Sequence, residues 1–545
     1  MKKLFLILFY IFIATTPLIA QNVSLPQVEA TSFRADTLSI VNFNAKSDAI
    51  TLNTNAINLA IDKCSKNGGG VVKIPAGFWL TGPIILKSNV NLYLERNALL
   101  QFTSDFNEYK LLKSNWEGVP AVRNESPISA TDATNIAITG FGIIDGNGDA
   151  WRIVKKDKLT ESQWKKKVDG GGIVGDDKKT WFPSASSLIG SKTEKPGVLQ
   201  NGKTINDFSA IKDYLRPNLL VFANCNKVLL QGVTFQNSPA WCLHPLMCSN
   251  VVVQNITVKN PWYAQNGDGI DIESCKNVLV ENSSFDVGDD GICIKSGRDE
   301  EGRKRAMPTQ DVIIRNCTVY HAHGGFVIGS EMSGGAKNIY VSNCNFLGTD
   351  IGLRFKTTRG RGGVVENIYV SNINMKDIVG EAILFDMYYM AKDPVPLAGE
   401  KNEEPKVVML LVTEGTPSFK NFYIDNITCL GAAKAIFIRG LPEMKIEDIN
   451  LSNLVIDTDK GIDISEAKNI SLQNVKLILK HTNPAISILN SRSIDFNKVL
   501  LPKNAETTLK IGGKTTNDII WEDSTPLNGN TIYEFGASPN ALKIK

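Results

Sequence analysis

Much that would point to other classes of protein is missing from this sequence. Beyond the first twenty residues no stretch approaches the ~20 consecutive apolar residues that a bilayer helix needs, so no membrane span is expected in the processed chain. Histidine occurs only four times in 545 residues and no two cysteines form a CxxC pair, so neither a metal site nor a cofactor motif is indicated. Charge of one sign is lacking too. The formal net charge of +3 includes Lys2 and Lys3, which leaves the rest close to neutral, with no global field for nucleic acid. An acidic ligand would have to be met by local basic groups. Helical periodicity is nearly absent after residue 66. What remains, 43% hydrophobic and 21% charged residues, is the composition of a folded globular chain and argues against global disorder.

The N-terminus reads as a signal peptide spanning residues 1–20. Lys2 and Lys3 precede the apolar run Leu4 to Ala14, and small Ala20 stands before Gln21. Export to the periplasm or the medium is expected, as a monomer. Nine cysteines in an exported chain permit disulfides, and the odd count leaves at least one unpaired. Cys317 and Cys344 each lie six residues into a repeated strand phrase, which suggests that they stack in the core as small hydrophobes.

That phrase sets the architecture. A polar Asn or Asp followed by alternating β-branched residues recurs as Asn135-Ile-Ala-Ile, Asn250-Val-Val-Val, Asn277-Val-Leu-Val, Asp311-Val-Ile-Ile, Asn338-Ile-Tyr-Val, Asn367-Ile-Tyr-Val, Asn421-Phe-Tyr-Ile, Asp448-Ile-Asn-Leu and Asn469-Ile-Ser-Leu. The steps 250 to 277, 277 to 311 and 311 to 338 are 27, 34 and 27 residues. A second short run follows in each unit, as in Gly291-Ile-Cys-Ile and Gly325-Phe-Val-Ile. Several short strands per repeat predict an all-β, single-stranded right-handed parallel β-helix over residues 21–545. Thr54 to Cys64 carries helical spacing and ends at Gly68-Gly-Gly, which predicts an N-terminal helix capping the first coil. Residues 152–215, rich in Lys, Gly and Asp, break the repeat and are expected to form a long loop walling a groove.

Three aspartates stand in turn contexts on consecutive coils, in Asn266-Gly267-Asp268-Gly269 and Gly288-Asp289-Asp290-Gly291. Asp268 and Asp289 are 21 residues apart, about one short coil, and neighbouring strands lie ~4.8 Å apart, so the carboxylates are expected to meet. Crowded carboxylates resist ionisation, which keeps one available as a general acid while another serves as base. Glycosidic hydrolysis needs that division of labour. Asp-Gly also builds plain turns, and Asp145-Gly146 is read so. His323 follows on the next coil. Arg354 and Lys356 alternate along a strand beyond it, so they share one face and suit a substrate carboxylate.

Taken in order, Asn266-Gly267-Asp268, Gly288-Asp289-Asp290, Ala322-His323-Gly324 and Arg354-Phe355-Lys356 resemble the Asn-Thr-Asp, Gly-Asp-Asp, Gly-His-Gly and Arg-Ile-Lys motifs of glycoside hydrolase family 28, the polygalacturonases. Gly267 departs from Thr and Ala322 from Gly. The resemblance implies inverting hydrolysis of α-1,4-galacturonosidic bonds. It makes Asp289 the general acid, has Asp268 and Asp290 activate water, and has His323 tune the acid. Arg354 and Lys356 would grip the substrate carboxylate, and Asn266, Lys295 and Tyr388 complete the expected substrate contacts. His244 and Tyr389 are further subsite candidates. The segments Gly297 to Arg305, Ser330 to Gly335 and Arg359-Gly-Arg361-Gly-Gly resemble those of a bacterial branch with exo-acting members. Two other readings of the residues stay open: a β-helix pectate lyase, which eliminates with calcium and an arginine base, and a non-catalytic β-helix glycan-binding or adhesin protein.

Overall fold

The polar residue opening each repeated phrase adopts a backbone conformation that few side chains tolerate. In the computed structural model φ is 55° at Asn250, 54° at Asn277, 59° at Asp311, 55° at Asn338 and 57° at Asn367. Asn and Asp enter this left-handed region more readily than other non-glycine residues because their short polar side chains bond locally. Here those side chains also bond to one another across coils: Asn277 Nδ2 donates to Asn250 Oδ1 at 3.3 Å, and Asn338 Nδ2 to Asp311 Oδ1 at 3.0 Å. Five residues on, Asn255, Asn282, Asn316, Asn343 and Asn372 repeat the conformation. The first three end their strands, while Ala336–Leu347 and Val364–Lys376 run on through Asn343 and Asn372, and the paired left-handed corners recur at the same register in each of these coils.

The structure describes residues 25–391, 406–503, 505–527 and 531–545; the expected signal peptide lies outside them. Among the described residues, two stacks of parallel strands run the length of the molecule, assigned as sheets of 24 and 14 strands. Each coil adds rungs to both, which is the expected right-handed parallel β-helix. The register is kept over many coils: Val228, Val251, Val278, Val312, Ile339 and Ile368 stand in successive opposition. All six are buried. Burial of each such side chain is worth about 1.5–3 kcal/mol, so the ladder supplies the molecule's main cohesion. Phe422 continues it opposite Ile368, and Phe326, Phe355 and Phe385 of the 14-stranded sheet pack against it across the core with rings 4.6–6.2 Å apart.

The capping helix α1, Thr54–Lys66, forms where expected and buries Ala56, Ile57, Ala60, Ile61 and Cys64. All nine cysteines are buried and free, so the possibility of disulfides is not realised. Residues 152–215 differ from the expected loop. They contain helices α2, Glu161–Asp169, and α3, Ala185–Ser191, and a small antiparallel sheet in which Thr180–Phe182 is central. The basic segment after Gly297 likewise forms a helix, α4, Asp299–Arg305. No helix of the described residues is long and apolar enough to cross a membrane.

Candidate active site

The 14-stranded sheet carries the strands Ile270–Glu273, Asp290–Lys295, Gly324–Ile328, Leu353–Lys356 and Glu381–Asp386 as successive neighbours. Ile270 opposes Ile292, so Asp268 stands opposite Asp290, and Asp289 is level with Gly267. This corrects the spacing argument, which paired Asp268 with Asp289. The three carboxylates nevertheless meet: one oxygen from each lies within 4.8 Å of the others. Gly267 is explained by its neighbours, because a Cβ there would stand 2.7 Å from both the Cβ and the carbonyl oxygen of Ala264. A threonine needs a shifted loop.

The three acids live in different surroundings. Asp290 is buried, and burial alone would raise its pKa. Lys356 Nζ at 2.8 Å from Oδ2, Arg354 at 3.3 Å from Oδ1 and the charge of Lys295 outweigh that and hold it well below the usual carboxylate range. Asp268 is also buried, its Oδ1 has no hydrogen-bond partner among the described residues, and burial together with the charges of Asp271 and Asp289 pushes it well above that range. Asp289 is more open, its side chain 23% exposed, and accepts from His323 Nδ1 at 3.1 Å. The hydrogen bond to Asp289 raises the His323 pKa, against partial burial, and Asp350 lies 3.7 Å from Nε2.

Beside this group, on the same outward face of the sheet, lies a charged cluster of which only Lys295 was expected. Asp271 is completely buried, and among the described residues neither of its carboxylate oxygens has a hydrogen-bond partner. Lys295 Nζ lies 3.6 Å from Asp271 and 3.2 Å from Glu331, so Lys295, an expected substrate contact, is held as a buried counter-ion to both. Burial would raise Glu331, but Lys295 and Arg361 bring it down to about 2. His244, a subsite candidate, is buried and bonds to Glu273 at 2.8 Å. Tyr388 is buried as well, with the guanidinium groups of Arg359 and Arg439 over its ring. Its neighbour Tyr389 faces the site, with Lys356 Nζ 4.9 Å and Arg354 5.7 Å from its ring centre. Asn266 sits at the rim, where its Oδ1 accepts from Arg216 at 3.0 Å.

Next to Asn266 is a cavity of about 480 Å³. Its walls come from the hairpin Leu111–Asn124, from Lys195 to Val198 of the insertion, and from Arg298 and Asp299. Arg123 lies 3.5 Å over the ring of Trp116, which stacks on Trp241, and Arg298 pairs with Glu117 at 3.1 Å. Arg123, Arg216, Arg298 and Lys195 outnumber the acids Glu117 and Asp299 in its lining, which makes a pocket for an anion.

Carboxylates at this spacing also satisfy the geometry of a cation site, which the composition gave no reason to expect. The donor set fits poorly, since Lys356 and Arg354 already neutralise Asp290 from within hydrogen-bond range.

The profile of Glycosyl hydrolases family 28 matches residues 200–404, the stretch that holds all of these strands. A probable polygalacturonase of Vitis vinifera is 30% identical over 431 residues, covering 75% of this chain and 77% of that protein. The chain belongs to glycosyl hydrolase family 28. It is therefore a glycoside hydrolase. An exo-poly-α-D-galacturonosidase of Dickeya chrysanthemi is also 30% identical, over 65% of this chain and 57% of its own length. Among solved structures, an exopolygalacturonase from Thermotoga maritima superposes with a TM-score of 0.66 at 30% identity, over 83% of this chain and 93% of that one. Within the family frame, the hairpin residues Trp116, Glu117 and Arg123 went unread because nothing local links them to the aspartates. Tyr389 could not be separated from Tyr388 in the sequence, because both follow the strand Glu381–Asp386 in a turn whose geometry decides which ring is buried.

Proposed function

We propose that this enzyme hydrolyses α-1,4-galacturonosidic bonds of pectic polysaccharide or oligogalacturonides from a chain end, with inversion. The observation that carries this reading is the meeting of three unequal carboxylates with Arg354, Lys356 and His323. Asp289, the most accessible of the three and paired with His323, protonates the leaving oxygen. Asp268 and Asp290 hold the attacking water, and Asp290, kept ionised by Lys356 and Arg354, takes its proton. Arg354, Lys356 and Tyr389 receive a galacturonate residue, its carboxylate on the two cations and its ring against the tyrosine.

The acid oxygens stand closer than the roughly 6.5–9.5 Å common to inverting sites with two carboxylates. The water held by Asp268 and Asp290 must still attack the anomeric carbon from the face opposite the leaving oxygen that Asp289 protonates, as a single displacement requires. Attack at a chain end follows from the cationic cavity beside Asn266, which the hairpin and the insertion close. One or two terminal uronate residues fill it. In this reading residues 1–20 are a cleaved signal peptide, the enzyme is exported, and residues 21–545 form one catalytic domain. Digestion of oligogalacturonates of defined length tests it: monomer or dimer alone from every length supports chain-end attack, and a ladder of intermediate products rejects it.

A further inference from the structure

Besides the cationic cavity beside Asn266 and the sheet face bearing Arg354, Lys356 and Tyr389, a larger cavity of about 800 Å³ runs along the turns that precede the sheet's strands. It passes from Lys155 and Lys158 of the insertion, past Trp262 and Tyr263, to His323 and Asp350, and it opens on Asp289. It touches the smaller cavity at Asn266, while Asp268, Asp290, Arg354 and Lys356 lie outside its lining. In the galacturonan reading above, the backbone lies across the cavity beside Asn266 and the sheet face bearing Arg354 and Lys356, which leaves this cavity for a group that projects sideways.

Its wall has the chemistry of a sugar site. Trp262 is 62% exposed, an uncommon state for so large an apolar ring, and it lies within the channel lining. Tyr263 stands perpendicular to it, at 87° and 5.8 Å between ring centres. Lys158 reaches from the insertion to place Nζ 4.8 Å from the Trp262 ring centre. An indole held flat and wet offers its face to the C–H side of a pyranose, and a lysine on a flexible stem donates to ring hydroxyls.

We propose that this channel is a subsite for a sugar side branch on the galacturonan backbone, with Trp262 as the stacking platform and Lys158 as the donor beside it. The proposal rests on the galacturonan reading given above. It makes the enzyme one that accepts substituted backbone at the cleavage point, where an unbranched groove would reject it.

Two probes test this: a linear oligogalacturonate, and the same oligomer bearing one xylosyl branch on the residue next to the scissile bond. Wild-type enzyme is expected to cut both. Trp262→Ala should lose about tenfold or more in kcat/KM on the branched probe, chiefly through KM, and keep its rate on the linear one. Trp262→Phe should restore most of the loss, and Lys158→Met should show a smaller loss confined to the branched probe. Equal losses on both probes, or a wild type that cuts the linear oligomer and refuses the branched one, would overturn the proposal. A wild type that turns over neither probe is a different result: it refutes the galacturonan reading and removes the ground beneath this one.

Discussion

Asp268 and Asp290 occupy the same position on adjacent coils, yet their surroundings drive them in opposite directions, and stability measurements should expose the difference. Asp268 has no cation in direct contact, and its folded pKa is raised. Its ionised form therefore costs stability once the pH passes the ordinary aspartate value of about 3.9. Asp268→Asn should melt higher than wild type at neutral pH, with the gain shrinking as the pH falls, while turnover is lost. Asp290 answers two cations, and removing its charge leaves Lys356 buried and unpaired. Asp290→Asn should lose about 3–5 kcal/mol, the usual cost of breaking a buried pair from one side. Comparable melting temperatures for the two variants would contradict this asymmetry. His323 works with the other sign. Its folded pKa is raised by Asp289, so the stability from that pair is full below about 6.5, its ordinary value, and fades as the pH rises through the higher folded value. The melting advantage of wild type over His323→Gln should follow that course; a gap that widens above neutrality would refute it. The residues themselves were legible as a group because four short motifs fall in order on consecutive coils. Their unequal ionisation was not, since Asp271, Lys295 and Glu331 come from three segments that only the folded register brings beside the aspartates.

At the scale of elements, the strands were readable and the walls of the groove were not. An Asn or Asp before alternating β-branched residues announces a coil because the left-handed corner needs it, and the second Asn five residues later carries the same signal. The hairpin Leu111–Asn124 and helix α4 lack any such repeat, and they meet only in space. Gly118, with φ of 79°, marks that meeting. Its carbonyl accepts from Arg298 N at 3.1 Å, and a Cβ there would stand 2.6 Å from the same nitrogen. Gly118→Val should therefore push the hairpin off α4 and open the cationic cavity at its end. Products of longer oligogalacturonates should then shift from monomer or dimer toward intermediate lengths. A widened product range supports the hairpin as the wall that enforces chain-end attack, and an unchanged range with reduced activity places the wall elsewhere.

The whole molecule is a stack in which each coil is held by its neighbours, and nothing in that cohesion among the described residues depends on a disulfide. Nine buried, free thiols predict that a reducing agent leaves the melting temperature and the activity unchanged. Loss of either on reduction would show a covalent link that the folded core does not contain. The carboxylates that crowd the groove face cations of the protein's own, so a chelator should leave the rate intact as well, which separates hydrolysis from calcium-dependent elimination. Configuration decides most directly. Oligogalacturonate of defined length, followed by proton NMR in the first minutes of digestion, should release saturated galacturonate as the β anomer from an α linkage, and Asp289→Asn should lower that rate by about 10²–10⁴-fold. An α anomer formed first, an unsaturated ultraviolet-absorbing product, or undiminished turnover by Asp289→Asn would contradict single-displacement hydrolysis at this site.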